Sequence, residues 1–126
     1  MQKVKGKSLQ QIKNDVQYYG CTFYLKEEQW YRVENTRFDN CSFRGNVKFR
    51  DLDGCLFVNC GFSGEFTLDL SKTLGPLPDY LLSLTSLTTL SLSGNKLTEL
   101  PVEICELAFL TKLDLGYNRL QTLPSE

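Results

Sequence analysis

The C-terminal half of the chain repeats one pattern of leucines with a shift of 23 residues. Segment 84–106 reads LTSLTTLSLSGNKLTELPVEICE, and segment 107–126 reads LAFLTKLDLGYNRLQTLPSE. In each copy two leucines alternate with polar residues, which is typical of a strand with one buried face. Identical residues under this shift are the pairs Leu84/Leu107, Leu87/Leu110, Leu90/Leu113, Leu92/Leu115, Asn95/Asn118, Leu97/Leu120, Leu100/Leu123 and Pro101/Pro124. The period predicts stacked coils, because one coil alone cannot bury its apolar face.

The pattern LxxLxLxxNxLxxLP resembles the leucine-rich repeat family over about residues 66–126. The resemblance implies that Leu90 and Leu92 point into the coil and that Asn95 sits at the following turn. There its amide is expected to bond to backbone groups of the neighbouring turn, so that stacked coils form an asparagine ladder. A degenerate first copy spans residues 66–84 and carries Thr73 at the asparagine position.

A period of five dominates the N-terminal half. The tripeptide Cys-x-Phe begins at Cys21, Cys41, Cys55 and Cys60. Large apolar residues recur every five positions, with one phase slip near residue 45; they are Val33, Phe38, Phe43, Val47, Leu52, Phe57 and Phe62. Over about residues 21–62 this pattern resembles the pentapeptide-repeat family. The resemblance implies a square right-handed coil with one pentapeptide on each side, in which the small and the large residue of each unit point inward.

The segment from Ser8 to Tyr19 has the pattern of a capping helix. Ser8 can act as an N-cap and Gly20 as the C-terminal stop. Apolar residues fall on one helical face at Leu9, Ile12, Val16 and Tyr19. We therefore expect residues 1–20 to form a helical lid over the first coil, because the ends of solenoids need polar caps.

Together these patterns predict a β-rich right-handed solenoid that forms a single domain over residues 1–126. Its expected parts are the capping helix in 1–20, pentapeptide-like coils in 21–62 and leucine-rich repeats in 63–126. The sequence stops just after Leu123 and Pro124, so the last coil is expected to be unclosed. An open C-terminal end favours a homodimer, or a place for this segment within a longer repeat array.

The residue types argue against catalysis and against a metal or cofactor. The chain has no histidine, the usual base for a serine or cysteine nucleophile. The four N-terminal cysteines form no CxxC pair, and each takes the small inward position of its unit, so they are interpreted as structural thiols. The fifth, Cys105, is expected to pack in a return segment. An odd number of cysteines without a signal peptide favours the cytoplasm.

Charge and hydropathy exclude two further partner classes. Residues 1–62 carry 10 basic and 7 acidic residues, and residues 63–126 carry 4 and 8, so the net charges are +3 and −4. The basic residues after Trp30 are diluted by acidic ones, and no nucleic-acid partner is predicted. No apolar run approaches the ~20 residues of a membrane span.

Protein binding is the function that remains. The exposed positions of the predicted strands and their rim, with two aromatic residues from the N-terminal half, form the candidate partner-binding set: Thr67, Asp69, Thr89, Ser91, Ser93, Lys112, Asp114, Tyr117, Arg119, Trp30 and Tyr31. The sequence thus predicts a non-enzymatic, cytoplasmic, bacterial interaction module. Three hypotheses stay open: an immunity protein that neutralises a toxin domain, an effector or scaffold fragment that binds a host or cellular protein, and a purely structural piece of a solenoid.

Overall fold

The computed structural model describes residues 2–72, 77, 81, 84–100 and 102–120, apart from the side chains of residues 103 and 105. Short strands and a 3-10 helix, Val102–Glu106, provide the regular structure of this part of the chain. The strands are β1 (Gln2–Lys5), β2 (Ser8–Leu9), β3 (Val16–Tyr19), β4 (Thr22–Phe23), β5 (Trp30–Arg32), β6 (Arg37–Asp39), β7 (Ser42–Phe43), β8 (Val47–Asp51), β9 (Leu56–Val58), β10 (Gly61–Phe62), β11 (Phe66–Asp69), β12 (Thr89–Ser91) and β13 (Lys112–Asp114).

The strands stack into a β-solenoid of about five turns, as the repeats predict. All strand pairs are parallel, and they form three sheets along the sides of the coil. The first sheet has the order β1-β3-β6-β9, the second β10-β7-β4-β2 and the third β13-β12-β11-β8-β5. Each strand therefore pairs with the equivalent strand of the next coil, which is how a solenoid satisfies its backbone hydrogen bonds.

Aromatic side chains fill the N-terminal coils in two columns. In the first column the ring of Phe38 stacks on Tyr18 at 5.5 Å and on Phe57 at 4.7 Å between centroids. In the second column Phe43 stacks on Phe23 at 4.9 Å and on Phe62 at 4.8 Å. The period of five thus places its large residues inward, as expected, because in-register parallel strands superimpose equivalent side chains.

The predicted capping helix over residues 8–19 is wrong. Residues 8–9 and 16–19 are strands β2 and β3, and they belong to the solenoid itself. Val4 pairs with Tyr18, and Leu9 pairs with Phe23, so the period of five already begins at Val4. Tertiary stacking on the next coil decides the conformation here, because a short segment gains little from helix formation alone.

The first coil is also shorter than the second. The register shows this directly, because the step along the chain from Val4 to its partner Tyr18 is shorter than the step from Tyr18 to its partner Phe38. The first coil reaches β3 from β2 without contributing a strand to the third sheet, which ends at β5. The first coil therefore adds an edge strand to the first sheet and to the second, whereas β5 of the second coil is the edge strand of the third sheet.

Left-handed residues make the corners between the first and second sheets. Gly6, Gly20, Asn40 and Asn59 each follow a first-column residue by two positions, and their φ angles lie between 51° and 60°. Glycine and asparagine tolerate this conformation better than other residues. These corners align along the stack, because the backbone N–H groups of Gly6, Gly20 and Asn40 donate to the carbonyls of Tyr19, Asp39 and Val58 in the next coil.

The asparagine ladder of the C-terminal half is present. The side-chain amide of Asn95 donates to the carbonyls of Leu70 and Leu92, each at 2.9 Å. Asn118 repeats the arrangement, donating to Leu92 and Leu115 at 2.8 and 3.0 Å. Its oxygen also accepts the backbone N–H of Asn95 at 2.9 Å, so the turns are tied together. Thr73, the departure in the first copy, lies outside the described residues.

The two halves share the third sheet. Strand β8 of the N-terminal half pairs with β11, and Phe49 stands opposite Leu68. The rings of Phe62 and Phe66 stack at 4.2 Å between centroids, the shortest ring separation in the described core. The coil lengthens across this junction, because the step from Leu68 to its partner Leu90 is longer than the step from Phe49 to Leu68.

Candidate functional site

The outward side of the third sheet is the candidate binding surface, which we call the outer face. It arises from the alternation of buried and outward residues along β8, β11 and β12, the inner strands of this sheet. In β11, for example, Leu68 is fully buried, whereas Thr67 and Asp69 on either side are half-exposed. The same alternation holds in β12 around Leu90. The core leucines therefore fix which polar side chains face outward.

Strand register arranges the outer face in two rows. One row crosses all five strands through Trp30, Lys48, Thr67, Thr89 and Lys112. The second row runs through Asp69, Ser91 and Asp114. The structure thus brings seven of the predicted partner-binding residues onto one surface and adds Lys48, which the prediction left out.

The other four predicted residues lie elsewhere. Tyr31 faces the core, where its ring centroid lies 6.4 Å from that of Phe49, so its ring is not part of the outer face. Ser93 and Tyr117 follow their strands in turns, and Tyr117 is 92% exposed. Arg119 is exposed beyond the last described strand.

The ring of Trp30, at the N-terminal end of this face, lies against two cations. The Lys48 Nζ atom lies 5.5 Å from the centroid of its ring, and the Arg50 guanidinium carbon lies 4.8 Å from it. Side chains alternate along a strand, and Lys48 and Arg50 lie on either side of buried Phe49 in β8. Both cations therefore project outward. Cation–π contacts of this kind orient the ring and leave it half-exposed.

A groove of about 300 Å³ is lined in part by Arg50, the residue whose guanidinium lies against the Trp30 ring. Arg32, Arg50 and Lys72 contribute positive charge to it, and Asp51 and Asp69 contribute carboxylates. The basic run after Trp30 contained Arg32 and Arg50, but nothing in the sequence placed Lys72 beside them. Lys72 has a φ of 57° at a turn one coil further along, and only the stacking register reveals its position.

The aspartates on this sheet have a structural role in the turns that follow the strands. The Oδ1 atom of Asp69 accepts the backbone N–H of Ser71 at 2.9 Å, and that of Asp114 accepts the N–H of Gly116 at 2.9 Å. Asp51 accepts the N–H of Asp53 in the same way at 3.0 Å. Each carboxylate thereby closes the turn that follows its strand, which is a common role of aspartate. Asp69 and Asp114 are therefore turn-forming residues as well as surface residues.

The cysteines lie inside the coil. Cys21, Cys41 and Cys55 are buried free thiols, Cys60 is half-buried, and the Cys105 side chain lies outside the described residues. Each described thiol donates to a carbonyl of the preceding coil, as Cys41 does to Tyr18 at 3.5 Å. Burial raises the pKa of Cys55 to about 11, and the hydrogen bond with Cys60 followed by burial raises the pKa of Cys41. The protonated thiols of Cys41 and Cys55 suit a packing role better than nucleophilic attack.

Two other kinds of site are absent from the described residues. In the part of the chain that the structure describes, no group of three or more cysteine, aspartate or glutamate side chains is placed to hold a metal ion. No helix within the same residues is long and apolar enough to cross a membrane.

Comparison with known families identifies the C-terminal segment. Residues 85–125 match the family model for leucine-rich repeats in two copies. No curated protein and no solved structure matches the chain. The N-terminal coils agree with a pentapeptide-like solenoid in their period and inward packing, but no family model matches them. The segment 85–125, which carries β12, β13 and the asparagine ladder, is therefore a pair of leucine-rich repeats.

Proposed function

We propose that this protein is a non-enzymatic, cytoplasmic module that binds another protein through the outer face of its third sheet. Leucine-rich repeats generally mediate protein–protein binding, which supports the proposal. The observation that carries it is the register of the five strands, which aligns polar and aromatic side chains in continuous rows. Neither nucleic acid nor membrane is the proposed partner.

The side chains of this face suit the centre of a protein interface. Neighbouring strands lie about 4.8 Å apart, so five strands span about 19 Å along the longer row. A standard protein interface covers about 800 Å² on each partner and centres on a few large side chains. Trp30 provides such an anchor at one end, and Thr67, Thr89 and Ser91 provide a flat polar surface beside it.

An affinity pull-down with a surface variant tests the proposal. The intact protein, used as bait in its native cell lysate, should recover a stoichiometric partner identified by mass spectrometry. Thr89→Arg places a long cation at the centre of the outer face and should abolish recovery. Ser42→Arg is the matched control, because Ser42 has the same half-exposed position on β7 of the second sheet. Equal recovery by both variants would contradict binding through the outer face.

The identity of the partner distinguishes the narrower hypotheses. A nuclease, deaminase or other toxin domain in stoichiometric amount would support an immunity protein. A host or cellular protein would support an effector or scaffold fragment. Recovery of the bait alone, repeated at low salt, would favour a purely structural solenoid piece. Size-exclusion chromatography of the same bait would test the proposed homodimer.

A further inference from the structure

We infer that the N-terminal end of the outer face is a docking site for an acidic segment of the partner protein. The site consists of Trp30 and a cationic patch formed by Arg32, Lys48, Arg50 and Lys72. This inference rests on the proposed function and deepens it, because it states the chemistry that the partner must present. Three observations carry it: unpaired positive charge, a groove of suitable size and an aromatic anchor that contacts Arg50, one of the residues lining that groove.

The cations of the patch have no acidic partner within the described residues. In the described part of the chain, the ion pair is between Arg37 and Asp39, whose Nε and Oδ2 atoms lie 2.8 Å apart. Both residues belong to β6 of the first sheet, away from the patch. Arg32, Arg50 and Lys72 are exposed or half-exposed, and Lys48 is half-exposed. Long cationic side chains of this kind gain most from a carboxylate that a partner brings.

Two carboxylates lie within the same area, but both are already engaged. Asp51 and Asp69 line the groove, and each holds a backbone N–H of the next turn with its Oδ1 atom. Four cations against two carboxylates leave the site with a net charge of +2.

The geometry favours carboxylates over a phosphate backbone. The groove of about 300 Å³ between Arg32, Arg50 and Lys72 has the size of one or two acidic side chains. Arginine matches a carboxylate with two parallel N–H donors, and Trp30 offers an apolar surface for the rest of the segment. A nucleic acid needs an extended run of basic residues, whereas this row continues into Thr67 and Thr89, which are neutral. The expected occupant is therefore a protein segment rich in glutamate or aspartate.

Intrinsic fluorescence tests this inference at the site itself, because Trp30 is the single tryptophan of the chain. The intact protein is titrated with a short synthetic peptide of alternating glutamate and glycine, and with the same peptide carrying glutamine. The glutamate peptide should change the emission of Trp30 saturably, with an affinity that falls as salt is added. The glutamine peptide should leave the emission unchanged.

The double variant Arg32→Gln/Lys72→Gln should weaken binding of the glutamate peptide roughly tenfold, the size of effect expected from losing charge-assisted contacts. Lys48 and Arg50, the two cations that lie over the Trp30 ring, are unchanged in this variant, so the probe is retained. The control Lys3→Gln/Arg44→Gln removes the same charge from exposed positions outside the third sheet and should bind normally. Circular dichroism establishes that both variants are folded.

Three results would overturn the inference: no change in emission with the glutamate peptide, equal responses to both peptides, or equal losses in both double variants. Tighter binding of a single-stranded oligothymidine, tested in parallel, would replace the acidic segment with a nucleic acid. The proposed function is tested separately by the Thr89→Arg pull-down. If the pull-down succeeds and the peptide fails, the module binds protein but does not select acidic segments.

Discussion

The thiol of Cys55 should make the stability of the protein depend on alkaline pH. Burial raises its folded-state pKa to about 11, against an ordinary value of 9.0. The folded state therefore keeps the proton longer than the unfolded state, so the contribution of this group to stability is complete below pH 9 and is lost as pH rises through 11.

Urea unfolding between pH 8 and pH 11 measures this effect. The wild type should lose stability over this range more steeply than Cys55→Ala, which lacks the thiol. Comparison of the two proteins removes the contribution of other groups that titrate here, such as Tyr18, whose pKa is also raised by burial. Parallel pH profiles would show that Cys55 is not desolvated in solution.

Leu90 should be among the residues that the fold tolerates least when shortened. Its side chain is 1% exposed and stands between Leu68 and Leu113 in the stack. Leu90→Ala should lower the free energy of unfolding by about 2–5 kcal/mol, because it removes buried methyl groups and leaves a cavity. Ser91→Ala, which alters the neighbouring outward position, should change it by less than about 0.5 kcal/mol. A small effect of Leu90→Ala would mean that the inward face is wrongly assigned.

At the residue scale the sequence was a good guide wherever a residue's role repeats. Asn95, Leu90 and Phe38 each have equivalents one period away, and the family resemblances that this spacing supports implied their inward or ladder positions. Tyr31 was less predictable, because it stands next to Trp30 and either of the two could face inward. Only its pairing opposite Phe49 decides which ring packs in the core.

The corners between the first and second sheets give a prediction at the scale of the element. Asn40 occupies the left-handed conformation with a φ of 53°, and Gly20 occupies the equivalent corner one coil earlier. Asn40→Val should cost about 1–2 kcal/mol of stability, because a β-branched residue is strained at positive φ. Asn40→Gly, the matched control, should change stability little. Thermal unfolding by circular dichroism measures both, and equal melting temperatures would argue against a left-handed corner.

The error over residues 8–19 also belongs to this scale. Leu9, Ile12, Val16 and Tyr19 have helical spacing, but the structure uses a different pattern that begins earlier, with Val4, Gly6 and Leu9. This pattern has the same spacing as Phe38, Asn40 and Phe43, so a comparison of short units that include the corner residue could have found it. It was hidden because Lys7 stands where the later copies have cysteine, and because the first coil is shorter than the second.

For the whole molecule, the shared third sheet predicts that the two halves unfold together. Leu68 on β11 pairs with Phe49 of the N-terminal half and with Leu90 of the leucine-rich repeats. Leu68→Ala should therefore increase hydrogen exchange in β8 and in β12 by similar factors, because cooperative units open as wholes. Mass spectrometry of peptides from each half measures this. Faster exchange in only one half would indicate two separately folding units.

The solenoid itself could be predicted from sequence because its repeats are local, whereas the binding patch could not. Trp30 contacts Lys48 only one coil later, across the phase slip near residue 45. Lys72 reaches the groove of Arg32 and Arg50 from a further coil. Such contacts between coils depend on the length of each coil as well as on its pattern of apolar residues. A shift of one residue in the register of any strand would alter which side chains become neighbours.

The unequal coils suggest how this scaffold could acquire new specificities. The step along the chain from one strand to its partner is shortest in the first coil, from β1 to β3 and from β2 to β4, and longest from β12 to β13, yet every strand pair remains parallel. Differences in coil length are therefore accommodated in the segments between the strands. Evolution, or a protein engineer, can lengthen a connecting segment beside the third sheet and place new side chains around its rim, while the aromatic columns and the asparagine ladder hold the same geometry.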